Sequence, residues 1–260
     1  MSHSSITVAT EHRIATVTLN RPDTRNALDD VMIREMTEAF TFLNRAPDNR
    51  IVVLTGAGTS FCAGMDLQYL QKYSQLGHGE NLEDAKNLMK LLQTIHNMKR
   101  PVIAMVNGPA MGGGCGIAAA CDFVYAGKEK ARLGVPEVRL GFLPALILLF
   151  LIKRMGEGKA REFVLRGDVV TPVAAQALGL VTEVVEDDRL HATVYEFAGH
   201  IANTTSGSSI ALTKELFSRL QEMNEKEMLE YAANLNALAR KTDDFRKGID
   251  SFITKEKLQW

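Results

Sequence analysis

The amino-acid sequence predicts an α/β fold of strand–helix units followed by a purely helical region. Short apolar runs that are typical of buried strands alternate with helical patterns over the first three quarters of the chain. Glycine-rich loops follow two of these runs, at 55–64 and 107–116, and only helical patterns remain towards the C-terminus. We therefore divide the chain into a core over residues 1–190 and a helical region over 191–260. Periodicity alone leaves a Rossmann-like sheet and other βα architectures open.

The strands are predicted from apolar or alternating runs that are bounded by turn residues. The first two, at 6–10 and 14–19, are separated by three polar residues, and this spacing favours a hairpin. Five further strands are expected at 51–54, 101–106, 122–126, 131–135 and 181–185.

The helices are predicted from apolar residues that recur at helical spacing. Asp29 or Asp30 is the expected N-cap of the first helix, and the polar stretch 71–80 is expected to form a mobile loop. Within the core, helices are expected at 31–44, 65–70, 81–98, 117–120, 145–155, 157–165 and 172–178. In the C-terminal region they are expected at 189–202, 208–220, 226–240 and 243–255.

Composition excludes several classes of protein. The 260 residues carry a formal net charge of −1, whereas a nucleic-acid surface usually needs a basic excess, so we expect no nucleic-acid partner. No apolar run of about 20 residues occurs, and the start of the chain lacks the features of a secretory signal. Three cysteines without a CxxC pair indicate reduced thiols rather than a disulfide framework. We therefore expect a cytoplasmic protein that does not associate with membranes.

The common cofactor and hydrolase motifs are missing. The loop at 56–61 has Phe61 where a dinucleotide fingerprint needs its third glycine, and Gly158-Lys159 lacks the rest of a phosphate-binding loop. There is no G-x-S-x-G elbow, and the six histidines show no zinc-binding spacing. We therefore predict no metal ion and no separate cofactor.

Two strand–glycine-loop–helix units about fifty residues apart remain to be explained. One backbone N–H group from each loop could converge on a single oxygen atom and form an oxyanion hole. The alternative is that the glycines only make tight turns. Because two such loops occur, and one of them runs into the sequence CAGMDL at 62–67, the sequence favours a functional role.

Motifs along the whole chain resemble those of the crotonase, or enoyl-CoA hydratase/isomerase, superfamily. In order, they are RPDTRNAL at 21–28, FCAGMDL at 61–67, NGPAMGGGCG at 107–116, Cys121-Asp122, PEVRLG at 136–141, ALGLV at 177–181 and FRKGIDSF at 245–252. The resemblance implies a spiral of ββα units with a C-terminal helical trimerisation region. It also implies a homotrimer or homohexamer, and an acyl-CoA thioester as substrate, with coenzyme A as part of that substrate.

The resemblance also assigns site residues. The oxyanion donors would be the backbone N–H groups of Met65 and Gly113, and Glu137 would be the catalytic acid/base. The residues expected to contact the substrate and its coenzyme A are Arg25, Ala63, Gly64, Asp66, Leu67, Gln68, Gly112 and Lys255. For Arg25 and Lys255, which would contact phosphates, the alternative is a simple solvated charge. Asp66 and Asp122 are expected to have structural roles at helix starts or turns.

The sequence departs from the family's two-glutamate hydratases in two places. Gly116 stands where the first glutamate would be, and an apolar run at 143–150 replaces the glycine-rich run that usually follows the second. This combination resembles a bacterial subgroup with methylglutaconyl-CoA hydratase-like members. Three hypotheses follow. The first is an enoyl-CoA hydratase that uses Glu137, and the second is an isomerase or other CoA-enolate enzyme that uses the same residue. The third is a non-catalytic acyl-CoA-binding protein or an RNA binder, and the near-neutral net charge counts against RNA binding.

Overall fold

A computed structural model describes residues 3–219 and 223–260 of the chain. Its main sheet has six strands in the order β1-β2-β3-β4-β6-β9. The first two strands form the predicted antiparallel hairpin, and the other neighbours are parallel. These strands are β1 (Ile6–Glu11), β2 (Ile14–Leu19), β3 (Ile51–Gly56), β4 (Val102–Val106), β6 (Phe123–Gly127) and β9 (Glu183–Val185).

A second, three-stranded sheet has the order β5-β7-β8, with β5 at Pro109–Met111, β7 at Arg132–Gly134 and β8 at Val169–Val170. Strands β5 and β7 are parallel, and β8 is antiparallel to β7. The sequence predicts β7 but not β5 or β8. Two or three residues are too few for a period-2 pattern, and β5 lies inside a glycine-rich stretch, where such a pattern is weakest.

Both faces of the main sheet are covered by helices. In β3, Val52 and Leu54 join a cluster that includes Phe40 from the helix after β2, whereas Ile51 and Val53 join a cluster on the opposite face with a C-terminal helix. Burial on both faces explains why β3 is a continuous apolar run rather than an alternating one. The helices of the core are α1 (Asp30–Arg45), α2 (Leu67–Tyr73), α3 (His78–His96), α4 (Gly113–Ala120), α5 (Ala145–Met155), α6 (Glu157–Arg166) and α7 (Pro172–Leu178).

The loop predicted at 71–80 is shorter in the structure. Helix α2 continues to Tyr73 and α3 begins at His78, so only residues 74–77 connect them. Polar side chains cap these helix ends: the Glu80 carboxylate accepts from the Gly77 N–H at 3.0 Å, and Asn81 Nδ2 donates to the Tyr73 carbonyl at 3.0 Å. A polar stretch can thus end one helix and start another as well as form a loop.

Four helices follow β9, as the sequence predicts. They are α8 (Leu190–Thr204), α9 (Gly207–Arg219), α10 (Glu225–Ala239) and α11 (Asp243–Thr254). For the helix predicted at 208–220, the expected last residue, 220, lies outside the described residues. The N-cap expectation for α1 is confirmed at Asp29, whose carboxylate accepts from the Met32 N–H at 2.8 Å. In the described part of the chain, no helix is both long and apolar enough to cross a membrane.

Candidate active site

Short backbone bridges hold the two glycine-rich loops together. Cys62 pairs with Ala110 of β5: the Cys62 N–H donates to the Pro109 carbonyl at 3.1 Å, and the Met111 N–H donates to the Cys62 carbonyl at 2.9 Å. The first loop therefore lies alongside β5, directly before the start of α4.

A third segment, at 25–28, lies on the other side of the first loop. Leu28 pairs with Met65, with its N–H donating to the Gly64 carbonyl at 2.8 Å and its carbonyl accepting from the Asp66 N–H at 2.9 Å. The Ala63 N–H donates to the Arg25 carbonyl at 3.0 Å. The structure thus brings together four of the predicted substrate contacts, Arg25, Ala63, Gly64 and Asp66.

The backbone N–H groups of Met65 and Gly113 lie close together. A Cβ atom on Gly113 would lie 4.0 Å from the Met65 nitrogen, and a Cβ atom on Gly64 would lie 3.6 Å from the Gly113 nitrogen. Neither N–H donates to an acceptor within the described residues. Gly113 is the first residue of α4, where N–H groups have no partner inside the helix. Two free donors at this spacing can bind one oxygen atom that gains negative charge.

Strand pairing carries the Glu137 carboxyl group to the same loop. In the parallel pair β5–β7, Met111 stands opposite Gly134, and the Gly112 N–H donates to the Gly134 carbonyl at 2.8 Å. The chain then turns through a short 3₁₀ helix at Pro136–Leu140. Glu137 Oε1 lies 2.8 Å from the position that a Cβ atom on Gly112 would occupy, so a side chain at residue 112 would collide with the carboxyl group.

Glu137 is held in surroundings that disfavour its charge. Its Oε2 atom is buried and has no hydrogen-bond partner among the described residues. Burial raises the pKa of this carboxyl group above its ordinary value of 4.5, although its own backbone N–H opposes the shift. Burial, together with the nearby Glu137, raises the pKa of the Cys115 thiol to about 12, so this thiol stays neutral at physiological pH. The arrangement suits proton transfer by Glu137.

Two asparagines, whose roles the sequence does not reveal, fix the loops. The Asn107 side chain accepts from the Gly56 N–H at 3.2 Å and donates to the Gly56 carbonyl at 2.8 Å. Asn26 Nδ2 donates to the carbonyls of Ala57 and Ser60 at 2.9 and 2.8 Å. The signal that could have indicated these roles is position, because Asn26 lies in the motif at 21–28 and Asn107 begins the glycine-rich motif at 107–116.

The two aspartates that the sequence assigns to structural roles have such contacts. The Asp66 carboxylate caps α2 by accepting from the N–H groups of Gln68 and Tyr69 at 2.9 and 3.3 Å. Asp122 Oδ2 accepts from the Val102 N–H at 2.7 Å and also pairs with Lys214. Neither role requires a substrate.

The other residues that are predicted to contact the substrate or its coenzyme A lie at separate places in the structure. Leu67 and Gln68 begin α2 with exposed side chains, next to Met65. The Arg25 side chain is exposed at the edge of the third segment. Lys255 caps the far end of α11, and within the described residues no hydrogen bond or ion pair joins it to Arg25 or to the segment 63–68. One chain therefore assembles all the predicted contacts except Lys255.

A family model described as enoyl-CoA hydratase/isomerase matches residues 9–260. The chain belongs to this family. It is 38% identical over 242 residues, covering 93% of this chain and 95% of the relative, to a Thermus thermophilus protein whose name places it among the enoyl-CoA hydratases. It is 32% identical to the crotonyl-CoA hydratase of Syntrophomonas wolfei, covering 99% of this chain and 98% of that one.

Solved structures of the family share the fold. The crystal structure of an enoyl-CoA hydratase from Shewanella pealeana matches with a TM-score of 0.92 and 28% identity, over 99% of this chain and 96% of that one. The predicted crotonase-type α/β fold and membership among the enoyl-CoA hydratase/isomerase enzymes are therefore confirmed. The methylglutaconyl-CoA subgroup and the boundary at residue 190 stay predictions.

The position of the family's first glutamate is filled by a side chain of α5. A Cβ atom on Gly116 would lie 2.0 Å from Ile147 Cγ2 and 2.5 Å from Ile147 Cβ. Ile147 is 3% exposed and therefore cannot simply turn towards solvent. The apolar run at 143–150 thus supplies the side chain that excludes a second carboxylate from position 116 of α4.

The pair Gly116–Ile147 can be tested by a double-mutant cycle. Gly116→Ala should lower the free energy of unfolding by about 1–3 kcal/mol, because the new methyl group collides with Ile147. Ile147→Ala alone should lower it by about 2–5 kcal/mol by leaving a cavity. The double variant should be more stable than the sum of the two losses implies, as measured by chemical denaturation. Additive losses would show that the two positions do not contact each other.

Proposed function

We propose that this enzyme adds water to the double bond of a 2-enoyl-CoA thioester, or catalyses the reverse dehydration, with Glu137 as its acid/base. The observation that carries the proposal is the half-buried Glu137 carboxyl group, whose Oε2 atom is enclosed and whose Oε1 atom packs against Gly112, the residue immediately before the donor Gly113. The crotonase-type hydratases among the relatives support the reaction class.

The two N–H donors would bind the thioester oxygen. When water adds to the β carbon, electrons move from the double bond through the α carbon to this oxygen, which gains negative charge. The N–H groups of Met65 and Gly113 stabilise that charge more than the neutral carbonyl, which lowers the barrier. Because both donors belong to backbone that is fixed by bridges to β5 and to Leu28, little reorganisation is needed during the reaction.

Glu137 would transfer the protons in both halves of the addition. As the water oxygen bonds to the β carbon, the carboxylate accepts the proton that this water loses. The neutral carboxyl group then returns a proton to the α carbon, and the enolate collapses to the 3-hydroxyacyl thioester. One carboxyl group can serve both as base and as acid when its pKa is raised towards neutral pH. Burial shifts the Glu137 pKa in that direction.

The position of Gly116 favours one alternative reaction. With Ile147 in place of a second carboxylate, Glu137 could instead move a proton between the α and γ carbons and shift the double bond without adding water. The same oxyanion hole would stabilise the dienolate that forms. The two reactions differ in product mass, so product analysis separates them.

Three further parts of the proposal concern the acyl-chain contact, the cellular compartment and the metabolic role. Exposed apolar side chains at Leu140, Phe142 and Leu143 follow Glu137 and suit contact with the acyl chain. Three buried free thiols suit a reducing compartment such as the cytoplasm. The family resemblance suggests a role in fatty-acid or branched-chain amino-acid degradation.

A trimeric or hexameric assembly is proposed on the evidence of α11. Four apolar residues on this helix, Phe245, Ile249, Phe252 and Ile253, are exposed, with Phe252 at 85%. A contiguous apolar helix face of this kind suits burial against another subunit. Such contact could also bring Lys255 of one subunit towards the substrate of another.

The oxyanion hole is tested by Gly113→Ala. The added methyl group would point towards the Met65 nitrogen and meet only the end of the Leu28 side chain, at 3.1 Å, so the fold should persist. We expect kcat to fall by about 10²–10³-fold while KM changes far less. Gly199→Ala is the matched control, because a Cβ atom there meets nothing within 4 Å. An unchanged kcat in a folded Gly113→Ala enzyme would contradict the assignment.

The role of Glu137 is tested by Glu137→Gln, with the exposed Glu38→Gln as control. Turnover of crotonyl-CoA should fall by about 10²–10⁴-fold in the first variant only, while binding of a CoA ligand survives. Full activity of Glu137→Gln would refute the role of this residue.

A panel of 2-enoyl-, 3-enoyl- and 3-methylglutaconyl-CoA, analysed by mass spectrometry, then identifies the reaction. Hydration adds the mass of one water molecule, and isomerisation adds none. Binding without any product would favour a non-catalytic acyl-CoA-binding protein.

A further inference from the structure

A second cavity lies between the C-terminal end of α3, the second half of α5 and the helix α9. Its volume is about 370 Å³, within the usual range for small-molecule sites. None of its lining residues belongs to the active site described above. On α5, the lining residue Lys153 lies six positions, or about 9 Å of helix, beyond Ile147.

The lining of this cavity is strongly basic. Lys99, Lys153 and Lys214 come from three different helices or their ends. Within the described residues, Lys214 pairs with Asp122, whereas no carboxylate lies within ion-pair distance of Lys99 or Lys153. The acidic lining residue, Glu215, accepts a hydrogen bond from Tyr231 at 2.6 Å. Four lining residues are cationic, namely Lys99, Lys153, Lys214 and Arg219, whereas the described carboxylates at the cavity are Glu215 and Asp122, so positive charge exceeds negative charge there.

His96 adds a second polar group that faces Lys153. The His96 Nε2 and Lys153 Nζ atoms are 3.5 Å apart, and the His96 ring packs edge-on against Phe150 at 5.3 Å between ring centres. Burial and then the Lys153 charge lower the pKa of His96, despite the opposing effects of the Ala120 backbone and of Asp122. In the neutral ring, His96 Nε2 can accept a hydrogen bond from the Lys153 ammonium group. When His96 is protonated the two cations repel each other, and an anion beside them could accept hydrogen bonds from both groups and so stabilise the imidazolium form.

We propose that this cavity binds a small molecule that carries a phosphate group, at a site separate from that of the acyl-CoA substrate. The lysine ammonium groups would bind the phosphate as point charges, and Leu149, Phe150 and the His96 ring would contact the carbon-containing part of the molecule. The cavity has room beyond that needed for one phosphate ion, which favours a phosphomonoester.

The test follows the His96 ring signals by NMR during titration with inorganic phosphate at low ionic strength. His96→Gln identifies the signals. Phosphate should shift them saturably and raise the pKa of His96, since an anion stabilises the imidazolium form. The charged groups around the His96 ring are Lys153, Lys214 and Asp122, and the cavity lining adds Lys99 and Glu215. Lys153→Gln should weaken phosphate binding by about tenfold.

Matched controls make the outcome decisive. Lys90→Gln removes an exposed lysine of α3 outside the cavity and should leave phosphate affinity unchanged, whereas Lys99→Gln should weaken it. Tighter binding of glycerol phosphate than of inorganic phosphate would support a phosphomonoester, and the opposite order would support the free ion. The absence of a saturable shift, or an equal loss in Lys90→Gln, would overturn the proposal.

A titration with coenzyme A distinguishes a separate phosphate site from an extension of the acyl-CoA substrate site. If coenzyme A shifts the His96 signals, and Lys153→Gln raises the KM for the acyl-CoA substrate, the cavity belongs to the substrate site and the proposal of a separate site is wrong. We expect Lys153→Gln to leave kcat and KM unchanged. If instead the enzyme has no turnover at all, the phosphate titration still decides this proposal independently of the proposed function.

Discussion

The parallel pairing of β5 with β7 determines the geometry of the active site. Because Met111 stands opposite Gly134, the residues that follow both strands leave the sheet side by side. One chain segment enters α4 and presents the Gly113 N–H, and the other turns back and presents the Glu137 carboxyl group. The bridge from Cys62 to Ala110 adds Met65 to the same edge. The positions of the two proposed donors and of the proposed acid/base thus depend on pairing between very short strands.

This arrangement is crowded, and the crowding restricts the chemistry. Gly112 has a positive φ of 49° and leaves no room for a side chain under Glu137, and Ile147 occupies the space beside Gly116. A second carboxylate cannot enter from α4 unless α5 changes. The proton transfers that we propose therefore use one carboxyl group, whose pKa burial raises. The same burial that suits Glu137 to acid/base chemistry lowers the stability of the folded state when that group is ionised.

The sequence predicts the long elements well because their patterns extend over several residues. Helix α5 is predicted at its observed bounds, and the β1–β2 hairpin follows from two apolar runs and a short polar turn. Strands β5 and β8 are missed because their pairing depends on distant partners rather than on local pattern. The roles of Glu137 and the two donors stay predictions from sequence motifs. The Ile147–Gly116 contact joins residues 31 positions apart, and only the packing of α5 on α4 reveals it.

The most direct test of this account is the pH dependence of stability in the wild type and Glu137→Gln. Because the folded-state pKa of Glu137 lies above its unfolded value, the unfolded chain loses this proton first as the pH rises. The free energy of unfolding of the wild type should therefore fall relative to that of Glu137→Gln from about pH 4.5 upwards, until the folded-state pKa is passed. Denaturant titrations at fixed protein concentration measure this difference. If the free energy of unfolding of the wild type instead stays constant or rises relative to that of Glu137→Gln as the pH increases, the surroundings of Glu137 do not disfavour its charge and the account is contradicted.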